Sequence, residues 1–267
     1  MTSGLMFHGR ALLRAWRAQL VKSITPAMEA SAVPPLGPLR APTFVDHVVK
    51  AIVSRATLGQ ILPGSRINEP GLARELGISR APVREALRML LALGVVESTP
   101  YQGMRLSPLP PERIRQINKV RLELEKLSLR EIADIKNNET LQATLTNLLE
   151  DMKTAARKED RLAIAILDAD FHESIVRAAD NPVLLKLWQM LRPQLVIIFG
   201  LATIKKSLRK VVDEHRNLLS GLGSSNTDKV AALMEEHILA DNLSIDFANF
   251  EAVVDSKPRS KARRLRV

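Results

Sequence analysis

Arg80 and Arg84 stand four residues apart in Ser79-Arg80-Ala81-Pro82-Val83-Arg84, and Arg88 repeats the spacing. On a helix all three share one face. A guanidinium placed there can clamp O6 and N7 of guanine or hold a phosphate. Ser79 and the free N–H groups of the helix start can meet a phosphate oxygen, and Pro82 is tolerated in that first turn. Arg66 and Arg74, upstream, suit contacts to the sugar–phosphate backbone. Gly103 lets a following hairpin bend and approach backbone or minor groove. Each arginine taken alone could equally solvate a surface helix; the surrounding pattern argues for a DNA reader.

A second constellation has metal-ligand character. Asp168 and His172 are four apart, so one helical face offers a carboxylate and an imidazole together. His215, in Asp213-Glu214-His215-Arg216, and His237, in Glu235-Glu236-His237-Ile238, fall on the last two expected helices. An antiparallel bundle could bring the four side chains to one point. Three imidazoles and a carboxylate suit a divalent metal, zinc first, with nickel, manganese or iron as others, and leave positions open for a further ligand. The alternative is a set of core or helix-end histidines, each satisfied by a neighbouring carboxylate; the spacing alone leaves both open. Asp170, two residues from Asp168, is expected to face solvent.

The elements that must position these residues are legible in outline. Val45, Val48, Val49, Ile52 and Val53 recur at three- and four-residue spacing and predict a helix from Thr43, ended by Leu62-Pro63-Gly64. Asn68 can cap a short helix through Leu76, closed by Gly77. Ser79 can cap the next, whose apolar side is Val83, Ala86, Leu87, Leu90 and Leu91. Val95 to Ser98 and Met104 to Leu106 are expected to pair as strands around Gln102-Gly103. This is the layout of a winged helix-turn-helix. Pro108 to Pro111 reads as a linker. Beyond it only helices are expected, about six, near 111–136, 138–157, 160–179, 181–200, 205–221 and 226–248, with breaks at Asn181-Pro182 and Gly221-Leu222-Gly223. The fold class is therefore mainly α, with four regions: an extension at 1–42, a DNA reader at 43–108, a helical domain at 109–250 and a basic tail at 251–267.

Composition narrows the partners. The net charge is +10, and its excess lies in residues 1–42, 43–108 and 256–267, while 109–255 carries a small negative balance. Phosphate therefore belongs with the reader and the tails. Aromatics make up 3% of the chain, which argues against single-strand binding by base stacking. Cysteine is absent, so disulfides are excluded and a reducing, cytoplasmic interior is expected. No apolar run approaches bilayer-spanning length, and no membrane partner is expected. Five prolines between Pro26 and Pro42 interrupt the basic amphipathic stretch that precedes them. That extension reads as a phosphate-contacting arm or targeting peptide, or as a disordered leader or an upstream start.

Leu62-Pro63-Gly64, Leu72-Ala73, Leu76-Gly77, Ser79-Arg80, Pro82-Val83-Arg84-Glu85-Ala86-Leu87, Leu93-Gly94 and Gly103 resemble the N-terminal domain of the GntR family of bacterial transcription regulators. Ala81 stands where that family usually has threonine, so one hydroxyl that could touch phosphate is missing. From about Glu112 to Phe250 the chain resembles the FCD effector domain of the FadR-type subfamily, in its shorter, VanR-like branch. The resemblance implies that Asp168, His172, His215 and His237 bind metal, and that a small carboxylate completes its shell. It further implies an arginine on the first helix of the domain to support the acid; Arg121, in Val120-Arg121-Leu122-Glu123-Leu124-Glu125, matches, with a surface salt bridge to Glu125 as its other reading.

The expectation is thus a homodimeric regulator, a repressor by preference, that binds pseudo-palindromic double-stranded operator DNA and answers to a small organic acid. An architectural or constitutive dimer with a structural metal is the alternative. A metalloenzyme on a DNA anchor is more remote, since HExxH, a nucleophile elbow and a phosphate loop are all missing from the sequence.

Overall fold

The computed structural model describes residues 43–100, 103–133, 139–204, 206–222 and 227–240. The expected extension at 1–42, the tail at 251–267 and Gln102 of the wing lie outside the described residues. The elements run α1 (Phe44–Thr57), α2 (Glu69–Glu75), α3 (Arg80–Ala92), β1 (Val96–Thr99), β2 (Gly103–Leu106), then α4 (Pro111–Ala133), α5 (Glu139–Arg157), α6 (Arg161–Ala178), α7 (Pro182–Ala202), α8 (Leu208–Leu222) and α9 (Thr227–Ala240). The chain is mainly α, with one small antiparallel sheet.

Local signals set the first three helices. Thr43 and Asp46 form a reciprocal capping box at the start of α1. Val48, Ile52 and Ala56, at fourfold spacing, are fully buried, and Val45, Val49 and Val53 flank them. Asn68 accepts from the Gly71 N–H to cap α2. Gly77, at φ +65°, then turns the chain in the left-handed region before α3. Ser79 occupies the N-cap position of α3 in extended conformation, yet its side chain makes no capping hydrogen bond, contrary to expectation.

β1 and β2 pair in the register Val96↔Leu106 to Thr99↔Gly103, one residue later on the first strand than the sequence pattern indicates. Gly103 is thus a strand residue, at φ +80°, rather than the turn itself. The segment after Gly64 adds backbone bonds to β2, including Ile67 N–H to Met104 O (2.9 Å) and Leu106 N–H to Ser65 O (2.9 Å). The connection to α4 is anchored by Leu109, which is buried.

Six helices follow among the described residues, in the expected order. α6 is the central one: it packs against α4, α5 and α7, and buries residues on several sides, among them Ile164, Asp168, Phe171, His172 and Ile175. Asn181 caps α7 through the Leu184 N–H. α8 ends at Leu222, within the break expected at Gly221-Leu222-Gly223, with Gly221 itself still helical. A Cβ there would run into the Leu233 side chain of α9, so the glycine serves close packing.

α7 corrects another expectation. At 21 residues it is long and apolar enough to cross a membrane by length and composition alone. Its apolar surface is used within the protein: Leu184, Trp188, Leu195, Val196, Ile197, Ile198 and Leu201 are buried. Arg192 ties the same helix to α6 through Asp170 (2.5 Å) and Glu173 (3.0 Å). Asp170 is accordingly engaged in a helix-to-helix ion pair while remaining partly exposed.

α7 also packs on α1, and one hydrophobic core runs from Val48 and Ile52 through to Ile238. The closest approach is at Gly200, where a Cβ would overlap the Thr57 Cγ2 and come within 2.6 Å of the Thr57 carbonyl oxygen. Gly200→Ala is therefore expected to destabilise the protein by about 1–3 kcal/mol, the usual cost of overpacking. A denaturant midpoint identical to that of the parent chain would show that α1 and α7 do not meet there.

Candidate nucleic-acid interface and metal centre

The turn after α1, the start of α3 and the wing enclose one surface groove. Arg66, Arg80, Arg84 and Gly103 line it, together with Ile67, Asn68, Glu69, Pro70 and Met104. Arg80, Arg84 and Arg88 are exposed, and buried Val83, Ala86, Leu87 and Leu90 hold their helix from below. Arg74, Ser79 and Arg88 are also exposed and Pro82 half-buried, but these four do not line the groove. Glu69 is a participant that the sequence reading omitted: its Oε2 lies 3.2 Å from Arg84 Nε. The acid comes from α2, so the first helix of the motif fixes where a guanidinium of the second one points.

The opposite end of α3 is tied to the helical domain. Gln194 of α7 donates to the Leu93 carbonyl (2.8 Å), and Arg113 of α4 donates to the Gly94 carbonyl (2.9 Å). These bonds serve carbonyls that a helix C-terminus leaves without an intrahelical partner. Gly94 has φ +68°, and a Cβ on it would lie 3.1 Å from Gln194 Nε2.

Inside the bundle the structure brings together Asp168 and His172 of α6, His215 of α8 and His237 of α9. One ligand nitrogen from each histidine lies within 4.8 Å of the other two. His172 Nε2 is 3.1 Å from His237 Nε2, and Asp168 Oδ1 is 3.3 Å from His215 Nε2 and 3.7 Å from His172 Nε2. Ligand atoms around a tetrahedral zinc, about 2.0–2.1 Å from the ion, lie about 3.3 Å apart; the 3.1, 3.3 and 3.7 Å spacings are close to that, while histidine nitrogens up to 4.8 Å apart would draw together around an ion. Asp168 Oδ1 and His215 Nε2 are buried without a hydrogen-bond partner, a costly state that a shared cation relieves. The outward nitrogens of two histidines are fixed as ligating imidazoles require: His172 Nδ1 to Glu125 Oε2 (2.7 Å) and His215 Nδ1 to the Val211 carbonyl (2.9 Å).

Arg121 sits beside this cluster, and its pair with Glu125 is not at the surface. Nε is 2.7 Å from Glu125 Oε1, and both side chains are buried. Trp188 Nε1 also donates to Glu125 Oε1 (3.2 Å), and the guanidinium stacks over the Phe199 ring at 4.7 Å. Arg121 Nη2 remains buried with no hydrogen-bond partner. Burial pushes the Glu125 carboxyl up, but the charges of Arg121 and His172 outweigh it and hold it at about 2. Burial, joined by Arg121, keeps His172 below the usual histidine range; burial, with His215 and His172, keeps His237 well below it. At His215 burial opposes protonation, but Asp168 prevails and raises it. Asp168 is lowered despite burial because His215 faces it. An ionised carboxylate and neutral imidazoles are the ligand forms, which the shifts at Asp168, His172 and His237 favour; His215, drawn toward its protonated form by Asp168, would give up its proton to an ion.

A cavity of about 30 Å³ opens onto the cluster. Arg121, Asp168, His215 and His237 line it, with Asn118 and Phe199, and Lys206 and Glu214 stand on its wall. That volume holds about two waters.

Residues 44–106 match the bacterial regulatory proteins of the gntR family, and residues 116–240 match the FCD domain. The chain belongs to the GntR family. It is a DNA-binding transcription regulator with an FCD domain, and not an enzyme. It is 30% identical over 198 residues to the "Probable D-xylose utilization operon transcriptional repressor" of Paenarthrobacter nicotinovorans, covering 74% of this chain and 87% of that one. The gluconate operon transcriptional repressor of Bacillus subtilis is 30% identical over 165 residues, covering 62% and 67%. The solved structure of E. coli McbR/YncC shares the fold, with a TM-score of 0.62 at 21% identity over 80% of this chain and 98% of that one.

Among the residues of this GntR protein's site, Glu125, Trp188, Phe199, Lys206 and Glu214 were not assigned a ligand-site role from sequence. Only Glu125 carried a signal, its position one turn after Arg121. Glu125→Ala, which leaves Arg121 buried without its partner, is expected to cost about 3–5 kcal/mol in chemical denaturation. A loss under about 1 kcal/mol would show that water reaches the pair.

Proposed function

We propose that this protein is a homodimeric, cytoplasmic repressor whose operator binding is controlled by a small carboxylate held at a divalent metal within the helical bundle. The observation that carries the reading is the convergence of four metal-suited donors, two of their atoms otherwise unsatisfied, on a cavity lined by the half-satisfied guanidinium of Arg121. His172, His215, His237 and Asp168 would hold the ion, zinc by preference, which as a Lewis acid would bind the carboxylate oxygens of the effector. Arg121 would orient the acid, with Glu125 and Phe199 keeping the guanidinium in place.

On the DNA side, Arg80, Arg84 and Arg88 would read the major groove. Arg66, Arg74 and Ser79 would contact phosphate, Pro82 would set the helix start, and Gly103 would bring the wing to the backbone. Control would pass through α7. Ile198, Phe199 and Ala202 face the cavity, while Gln194 and Gly200 touch α3 and α1. An effector shifts DNA binding only if it prefers one placement of the reader, and α7 is the element that meets both. Val183, Leu187 and Met190, exposed at i, i+4 and i+7 on α7, form an apolar stripe suited to a second copy, which would give the two-fold arrangement a pseudo-palindrome needs. The repressor sign is supported by the xylose- and gluconate-operon relatives, both named transcriptional repressors.

Arg84→Ala is expected to abolish footprints on the operator while sedimentation still reports the dimer; a retained footprint would remove Arg84 from the reading face. His172→Ala is expected to lower bound metal and the stabilisation by acids while operator binding persists. Metal stoichiometry at the parental level would show that the ligand set is wrong.

A further inference from the structure

We infer that Arg113 and Gln194 determine which operator geometry the protein accepts: by clamping the end of the recognition helix they hold the DNA reader at one setting, and so fix the separation between half-sites. The inference rests on the proposed dimer and is independent of what the bundle binds.

Reader and bundle are joined in ways that differ in kind. The first is the chain itself. Only residues 107–110 lie between β2 and α4. Ser107 and Leu109 are buried, and the Ser107 N–H donates to the Val95 carbonyl (2.9 Å). Pro108 and Pro110 have φ fixed by their rings. The connection is too short and too well held to act as a flexible tether. The second is apolar: α1 lies on α7, with the closest approach between Thr57 and Gly200. Apolar contact has no direction, so that crossing alone tolerates some rotation and sliding of the reader.

The third is polar and directional. Gln194 Nε2 donates to the Leu93 carbonyl (2.8 Å) and Arg113 Nη2 to the Gly94 carbonyl (2.9 Å), with Arg113 Nη2 also 3.4 Å from Gln194 Oε1. Two helices of the bundle, α7 and α4, thus grip consecutive carbonyls just beyond α3. This second fixed point removes the rotation that the α1–α7 crossing allows. It acts on the helix that enters the major groove, so any movement asked of that helix falls on the clamp.

DNA turns such fixity into selection. About 10–10.5 base pairs fill a turn of about 34–36 Å, so one added pair moves a half-site by about 3.4 Å and rotates it by about 34°. Hydrogen bonds near 2.9 Å do not survive a displacement of that size. What the reader cannot follow must be taken up by bending or twisting the duplex, which costs energy.

The test begins with half-sites selected from random sequence by the full chain, after which the spacer between them is lengthened and shortened by one to three base pairs. The parent chain is expected to bind one spacing at least about tenfold more tightly than spacings two base pairs away. In Arg113→Ala/Gln194→Ala that ratio is expected to fall to about threefold or less, because a loosened reader follows the half-site instead of deforming the duplex. Loss of the Arg113 charge weakens all the duplexes alike, so the ratio does not report it. Circular dichroism shows whether the double variant is folded; if it is not, Gln194→Ala alone is expected to give an intermediate ratio. A parent chain indifferent to spacing, or a parental ratio in the folded variant, would overturn the inference while leaving the dimer standing. Selection of a lone half-site, with sedimentation reporting one chain per duplex, would overturn the dimer and this inference with it.

Discussion

Arg121 and Glu125 are opposite charges one helical turn apart on α4, and neither reaches water. Taking such a pair into a protein interior costs several kcal/mol per ion, so it persists only where geometry and further hydrogen bonds compensate. Here Glu125 answers three groups at once: Arg121, His172 and the indole of Trp188. That single carboxylate fixes the ring of one candidate metal ligand, the direction of the guanidinium, and the packing of the largest side chain of α7. The arrangement of the bundle centre follows from it. His172 must present Nε2 inward because Nδ1 is held, and Phe199 lies where the guanidinium can stack on it.

α7 extends this order to the DNA reader. Trp188 and Phe199 place it against the site, and Gln194 and Gly200 place it against α3 and α1. A cavity with room for about two waters cannot admit an organic acid without some displacement of its wall. Part of that wall is α7, so on the proposed reading a bound acid would compete with the position of the recognition helix for the same degrees of freedom. A close-packed interior transmits such a shift rather than absorbing it.

What could be read in the sequence was what local physics decides. Asn68, Gly77 and the fourfold apolar spacing of α1 and α3 act within a few residues, and the helix-turn-helix follows from them. Asp168 and His172 share a face by helix geometry alone. That His215 and His237 reach the same point depends on how six helices pack, which spacing does not encode. Burial of Arg121 and Glu125 was hidden because charges four apart on a helix usually mark a solvated face. Ser79 illustrates the limit of residue type: it stands in the capping position without capping. α7 illustrates the limit of hydropathy, since Lys186 and Arg192 interrupt its apolar run while its overall composition still equals that of a spanning helix. Lys206 and Glu214 gave no signal, because a lysine and a glutamate eight apart across a helix start are met only in three dimensions.

The central claim is that occupancy of the metal site governs DNA binding through α7. The direct measurement is the affinity of the metal-loaded full chain for a duplex selected by that chain from random sequence, with and without the acid that binds it most tightly. The account predicts a change of at least about fivefold, the lower range of allosteric coupling, abolished by chelation and reduced in Gln194→Ala although that variant still binds the acid. An acid that saturates the metal-loaded protein and leaves its affinity for the duplex unchanged would contradict it.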